Sequence, residues 1–396
     1  MKFKRMIGAI SAAAMLFLFC SCSDGAQGAA NTESTANTTS SEDANFAVDL
    51  GEMRGLTAKE LVAEMKTGWN LGNSLDSIGK NELAWGNPKT TKEMIDAVRA
   101  QGFDILRIPV TWGQHSGGAP DYTVDPEFMA RVKEVVNYGI ANGMFVILDT
   151  HHEPDSWLKP QSESMGEVVP QFTALWQQIS KEFADYGDHL VFEGINEARI
   201  KGSRNEWTGG TKDQRDCVNQ LNKIFVDTVR ESGGNNAKRL LLVATYAHSV
   251  TDKAFDGVVA EYDQYTCVAL HAYTPYSFTY HSGESYETYK WDGREKGSID
   301  GVFKLIKDKL TSKGIPVIIT EYGAVRKTLE DGSDNTKEVT AWLNDYLGAA
   351  KEQGIPCVWW DNNYYNSGNE LFGIFDRKNC KWYTQEVADA IINMYS

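Results

Sequence analysis

Beyond its first 22 residues the chain has no apolar run approaching the ~20 residues that a membrane-spanning helix needs. Positive charge is also scarce. Lys and Arg number 39 against 54 Asp and Glu, a formal charge of −15, which leaves no basic face for nucleic acid phosphates. Only Cys217, Cys267, Cys357 and Cys380 follow the leader, with no CxxC pair. That excludes a dithiol redox site or a dense disulfide framework, while the even count leaves one bridge open. No glycine-rich phosphate fingerprint opens a helix, which counts against the open-sheet nucleotide binders. A GxSxG elbow is missing as well, so an acyl-transfer hydrolase lacks a nucleophile. His151-His152-Glu153 belongs to no HExxH helix, and adjacent strand residues point to opposite faces; no metal and no cofactor are expected.

What is present begins with an export leader. Residues 1–22 combine a basic start (Lys2, Lys4, Arg5) with an apolar run too short to span a bilayer. Phe19-Cys20-Ser21-Cys22 resembles a bacterial lipobox, with Cys22 as the acylated residue; ordinary secretion after a small-residue cleavage site is the alternative. The expected location is the cell surface or outer membrane through this anchor, or otherwise the medium. Residues 23–46 are small and polar and read as a flexible tether. Residues 47–396 remain for one domain, expected to be a monomer.

In that domain short apolar runs alternate with segments of helical period, the pattern of a parallel sheet with crossover helices. Eight strands are predicted, over Thr67–Gly72, Asp104–Val110, Phe145–Thr150, Leu190–Ile195, Leu240–Thr245, Thr266–His271, Val317–Glu321 and Cys357–Trp360. Helical periods occupy residues 94–100, 129–140, 172–183, 218–229, 302–310 and 339–350. Eight strand-helix units in about 350 residues predict an α/β fold of the closed (β/α)8, or TIM barrel, kind.

A barrel places its chemistry at the carboxyl ends of its strands. Polar and aromatic residues collect there: Asn73, Arg107, His151 and His152, Asn196 and Glu197, His271 and Tyr273, Glu321, and Trp359 with Trp360. Ends of strands four and seven face one another across a barrel mouth, so Glu197 and Glu321 can approach the ~5 Å that retaining glycoside hydrolysis requires. Arg107 shares strand parity with Ile105 and Pro109, and an inward guanidinium would keep Glu321 ionised as nucleophile. His271 and Tyr273 share one parity and reach toward the same group, Tyr273 as a hydrogen-bond donor. Glu197 is then the acid/base, Asn196 suits a sugar 2-hydroxyl, and Trp360 offers a face for a pyranose ring. Glu193 is read as a buried carboxylate helping to hold Arg107, Asp149 as an orienting group, and Trp157 as the first tryptophan to test for substrate contact.

Gly68-Trp69-Asn70-Leu71-Gly72-Asn73, Arg107-Ile108-Pro109-Val110, Phe192 through Glu197, His271-Ala272-Tyr273, Thr320-Glu321-Tyr322-Gly323 and Trp359-Trp360-Asp361-Asn362 occur in order across residues 50–396. Together they resemble glycoside hydrolase family five, and within it the subfamily-four endo-β-1,4-glucanases and xyloglucanases. The resemblance implies a retaining endo-β-1,4-glucanase with Glu197 as acid/base and Glu321 as nucleophile. It also implies binding roles for Arg107, His151, Asn196, His271, Tyr273 and Trp360, with Trp359 competing for the last. Ala198 departs from the family, where Pro often follows the Asn-Glu pair. The implied partner is a β-linked polysaccharide: cellulose, mixed-linkage glucan, xyloglucan or xylan, chosen by loops. The aromatic insert Tyr273 to Trp291 either lines positive subsites or packs on itself. The competing class is a non-catalytic carbohydrate-binding surface lipoprotein on the same barrel.

Overall fold

The computed structural model describes residues 48–280, 287–368 and 370–396. The leader, Cys22 and the tether lie outside the described residues. Eight parallel strands close into a barrel in chain order: β1 (Thr67–Asn70), β2 (Ile105–Ile108), β3 (Phe145–Asp149), β4 (Leu190–Glu193), β5 (Leu241–Ala244), β6 (Thr266–His271), β7 (Val317–Tyr322) and β8 (Cys357–Trp359). β8 pairs back onto β1, with Thr67 opposite Cys357. Every strand residue is buried, as expected where one face meets the barrel axis and the other the helices. Several strands are shorter than their predicted runs, β1 ending at Asn70, β2 at Ile108 and β4 at Glu193, two residues early in each case.

A short helix, α1 (Ala58–Val62), precedes the barrel, and its Ala58, Leu61 and Val62 pack on the inward apolar residues to close the amino-terminal end. Outside run α2 (Lys92–Gln101), α3 (Pro126–Ala141), α4 (Met165–Glu182), α5 (Lys212–Glu231), a single turn α6 (Tyr276–Thr279), α7 (Lys296–Lys309), α8 (Thr336–Glu352) and α9 (Gln385–Asn393). The starts of α3 and α5 follow from their sequences. Asp125 accepts from the Glu127 and Phe128 amides with Pro126 in the first turn, and Thr211 and Gln214 form a capping box. One expected unit is incomplete: no α-helix joins β5 to β6. That segment is tied to α5 by side chains instead, Arg215 Nε donating to the Asp256 carbonyl at 3.0 Å and Asn219 Nδ2 to that of Gly257 at 2.9 Å. The four cysteines after the leader are all free thiols, so the bridge left open by their even number is not formed. Among the described residues no helix is long and apolar enough to cross a membrane.

The barrel interior is layered. Ile105, Ile147, Val191, Leu242, Ala269, Ile318 and Val358 form an apolar lower layer. Two residues further along β2, β3 and β4 the same parity brings Arg107, Asp149 and Glu193 to the axis, fully buried. Gly68 makes this closure possible, since a Cβ there would stand 2.7 Å from the Ile105 Cβ and 2.9 Å from Val358 Cγ1. Gly68→Ala is therefore expected to destabilise the barrel by about 1–3 kcal/mol through overpacking, read as a lower urea midpoint with unchanged slope.

Candidate active site

Arg107 is the centre of the polar layer. Its Nε meets Glu193 at 2.6 Å, its Nη2 meets Asp149 at 2.8 Å and its Nη1 meets Glu321 at 2.8 Å. Asn70 and Asn196 accept from the remaining guanidinium protons at 3.0 and 2.9 Å. One cation thus faces three carboxylates in a space without water-like screening, and their protonation diverges. Burial works against ionising Glu193, yet Arg107 and a hydrogen bond from His248 outweigh it and hold this carboxyl well below its usual range. Burial pushes Asp149 up to about 8 despite Arg107, and Asp149 sits 2.7 Å from Nδ1 of His151. Burial also keeps His151 and His271 neutral, holding both well below the ordinary histidine value.

Glu321 emerges above this layer because β7 is irregular. Ile318 faces the barrel axis and Ile319 the helices, Thr320 points inward to Glu193 at 3.0 Å, and Glu321 points inward as well. Tyr322 then returns to the outer core against Trp342 and Tyr346. The register shifts against both β6 and β8 in this stretch, a local bulge that re-aims a side chain. Tyr273 donates to Oε2 of Glu321 at 2.9 Å. Burial first, and then the charge of Glu197, push Glu321 up to about 8, while Arg107 and Tyr273 pull the other way.

Glu197 lies opposite. One oxygen of each carboxylate and a ring nitrogen of His271 all fall within 4.8 Å of one another. His271 Nδ1 is 3.0 Å from Glu197 and 3.5 Å from Glu321, so this histidine stands between the two acids instead of serving Glu321 alone. The Glu197 backbone has a φ of +41°, a left-handed conformation that costs about 1–2 kcal/mol for a residue with a Cβ. Its N–H donates to Nδ1 of His248 at 3.0 Å.

A cleft of about 750 Å³ opens over the pair. His151, His152, Asn196, Glu197, His271, Tyr273, Glu321 and Trp360 all line it, eight of the ten residues singled out in the sequence. Asn73 and Arg107 do not. Asn73 is buried at a left-handed turn after β1, its N–H bound to Asp76 and its carbonyl to Asn87 and Ser77, and Arg107 lies beneath the floor with no exposed surface. Arg107 acts on the site through Glu321 and Asn196. Trp360 stacks parallel to His151 at 5.7 Å and fits against Gly72, where a Cβ would lie 2.7 Å from the indole. Trp359 is buried and donates to the Phe372 carbonyl, which removes it as a competitor.

Other aromatic residues divide between cleft and core. Trp157 is outside the cleft, its indole bound to Glu153 at 2.7 Å. Trp207, 54% exposed over the Arg199 guanidinium, lines the cleft instead. The insert after β6 splits: Tyr276 and Tyr280 face the cleft, while Phe278 and Trp291 are buried against each other. Tyr286 lies outside the described residues.

Sequence reading missed His248 and Arg199 and left Trp207 unassigned between core and cleft. The first had a usable signal, a histidine just past the end of β5, the one strand for which no polar residue was singled out. Trp207 and Arg199 sit on a loop without periodicity. Two further groupings bring metal-type ligand atoms together, Asp76 with His151 and His152, and Glu193 with His248 and His271. Most of their atoms are engaged within the protein: Asp76 binds the Asn73 and Ser74 amides, His151 binds Asp149, and His248 binds Glu193, while Nε2 of His152 and Nε2 of His271 are buried with no hydrogen-bond partner among the described residues.

A (β/α)8 barrel with an acid pair in an aromatic-lined cleft over its carboxyl-terminal face defines a carbohydrate-active hydrolase architecture. The family model for cellulase, glycosyl hydrolase family 5, matches residues 64–366, and the chain belongs to that family. It is a glycosyl hydrolase. It is similar to endoglucanase A of Ruminococcus albus, 53% identical over 347 residues, covering 86% of this chain and 94% of that one. Among solved structures it is similar to a xyloglucan-specific endo-β-1,4-glucanase of family 5 from a metagenomic library, with a TM-score of 0.81 and 42% identity over 85% of this chain and 98% of that one. A broad-specificity endoglucanase of subfamily four from Clostridium longisporum gives a TM-score of 0.81 and 40% identity, covering 87% and 99%.

Proposed function

We propose that this glycosyl hydrolase is an endo-β-1,4-glucanase that works by double displacement, with Glu321 as nucleophile and Glu197 as acid/base. The observation that carries the mechanism is the spacing of the two carboxylates, with oxygens within 4.8 Å. Retaining enzymes hold their acids ~5–5.5 Å apart, whereas inverting ones leave ~6.5–9.5 Å for a water between them. The polar floor supports the roles. Arg107 and Tyr273 both donate to Glu321 and concentrate negative charge on the oxygens that attack the anomeric carbon. Glu197 donates to the departing glycosidic oxygen, then takes a proton from the water that releases the glycosyl group. Asn196, anchored by Arg107, is placed for the 2-hydroxyl of the sugar under attack, and Trp360 for its apolar face.

Trp207 and Tyr276, both more than half exposed, extend the cleft beyond one sugar, as internal cutting of a long chain requires. The substrate reading is cellulose and mixed-linkage glucan, with xyloglucan as the branched member, in line with the activities carried by the related enzymes' names. On carboxymethyl-cellulose, viscosity should fall well before reducing ends accumulate. A fall in viscosity only in proportion to the reducing ends released would mean an exo-acting enzyme. In location, the reading is a surface lipoprotein acylated at Cys22, supported by the lipobox-like Phe19-Cys20-Ser21-Cys22 and the polar tether. Cys22→Ala should move the protein from the membrane fraction to the soluble one; unchanged partition would exclude the anchor.

A further inference from the structure

We propose that His248 is a positioning residue for the acid/base, acting through the backbone of Glu197. This rests on the assignment of Glu197 as acid/base. The Glu197 amide donates to Nδ1 of His248 at 3.0 Å, so that nitrogen carries no proton. The proton is on Nε2, which donates to Oε1 of Glu193 at 3.0 Å. Glu193 is held in turn by Arg107 at 2.6 Å and by Thr320 at 3.0 Å, and it has no exposed surface. The carboxylate therefore fixes the tautomer, and the tautomer fixes an acceptor aimed at the one strained peptide of the catalytic pair.

That aim has a structural purpose. Glu197 has φ +41°, and His248 and the preceding Ala247 both have φ +52°, so two left-handed segments meet. The Ala247 amide donates to the Ala198 carbonyl at 3.1 Å, which makes a second link between the same loops. His248 is also stacked on His271, centroids 4.2 Å apart, and His271 touches the Glu197 carboxylate at 3.0 Å. Backbone and side chain of Glu197 are thus both referenced to one buried imidazole. Without the acceptor, the Glu197 peptide is free to leave its left-handed conformation, and its carboxyl swings from the leaving oxygen.

A displaced acid should hurt substrates in proportion to their need for a proton. Cellotetraose, whose leaving group is a sugar alkoxide, needs one. 2,4-Dinitrophenyl β-cellobioside does not, and kcat/KM for both reports the glycosylation step. For His248→Ala, kcat/KM should fall about 100-fold on cellotetraose and several times less on the aryl substrate. The two amide variants separate the bonds. His248→Asn places an acceptor where Nδ1 stands and loses the contact to Glu193; His248→Gln keeps a donor near Nε2 and loses the acceptor. Asn should restore most of the cellotetraose activity and Gln should not, a comparison that stands even if the alanine variant folds poorly.

Equal losses on the two substrates, no loss, or better rescue by Gln than by Asn would overturn the proposal. Glu197→Gln, run beside them, tests the underlying assignment on its own. If that variant shows no difference between the substrates, the acid/base assignment has failed; if it shows the difference and the His248 variants do not, only the role of His248 has failed.

Discussion

Glu321→Gln should lower kcat/KM at least ~10⁴-fold on every substrate, activated or not, because a neutral amide replaces the carboxylate that forms the glycosyl bond. The amide matches the carboxylate in shape, so the hydrogen bond from Tyr273 and the packing of the site persist in outline. What is lost is charge, and with it the partner of a buried guanidinium. Arg107 would still be paired with Glu193 and Asp149, so the variant should fold, with the cost falling on catalysis. Steady-state rates on carboxymethyl-cellulose and on 2,4-dinitrophenyl β-cellobioside check this together. A loss confined to the polysaccharide would assign Glu321 to proton transfer.

Glu197→Gln should show the complementary pattern. On glucan the loss should reach ~10²–10⁴-fold, the range for removal of a general acid. On the dinitrophenyl substrate, kcat/KM should fall far less. The pH profile makes the prediction sharper. Burial and the Glu197 charge push Glu321 up to about 8, so the two carboxyls keep one proton between them until about that pH. Above it both are charged and no acid remains. Wild-type activity on glucan should therefore fall as pH rises through about 8. In Glu197→Gln the neighbouring charge is gone, Glu321 ionises at lower pH, and its aryl-glycoside profile should stay flat through that region. An alkaline limb that survives the substitution would place the retained proton elsewhere.

The parts of this site that depend on strand parity are legible in the residues. Arg107, Asp149 and Glu193 each follow an inward apolar residue by two positions, and in the structure they meet at the axis. Parity fails on β7, where Thr320 and Glu321 both turn inward. That irregularity is a property of β7 against its neighbours, and no periodicity within Val317–Tyr322 announces it. The reach of a side chain is equally hard to read. Arg107 sits below the floor and not on the cleft wall, because three carboxylates and two amides consume its five donors. Loop residues are the least legible. Trp157 and Trp207 both follow strand ends, and only contacts decide between them: Glu153 draws the Trp157 indole away from the cleft, while Arg199 supports Trp207 beside it. The missing helix between β5 and β6 is a related case, since side chains from α5 hold that crossover in place of helical hydrogen bonds.

The account turns on which carboxylate becomes bonded to sugar. Incubating the enzyme with 2,4-dinitrophenyl 2-deoxy-2-fluoro-β-cellobioside slows both steps but leaves the good leaving group, so the glycosyl intermediate accumulates. Peptide mass spectrometry should find one 2-fluorocellobiosyl group, on the peptide containing Glu321. A label on Glu197, or release of the inverted sugar with no label at all, would contradict it.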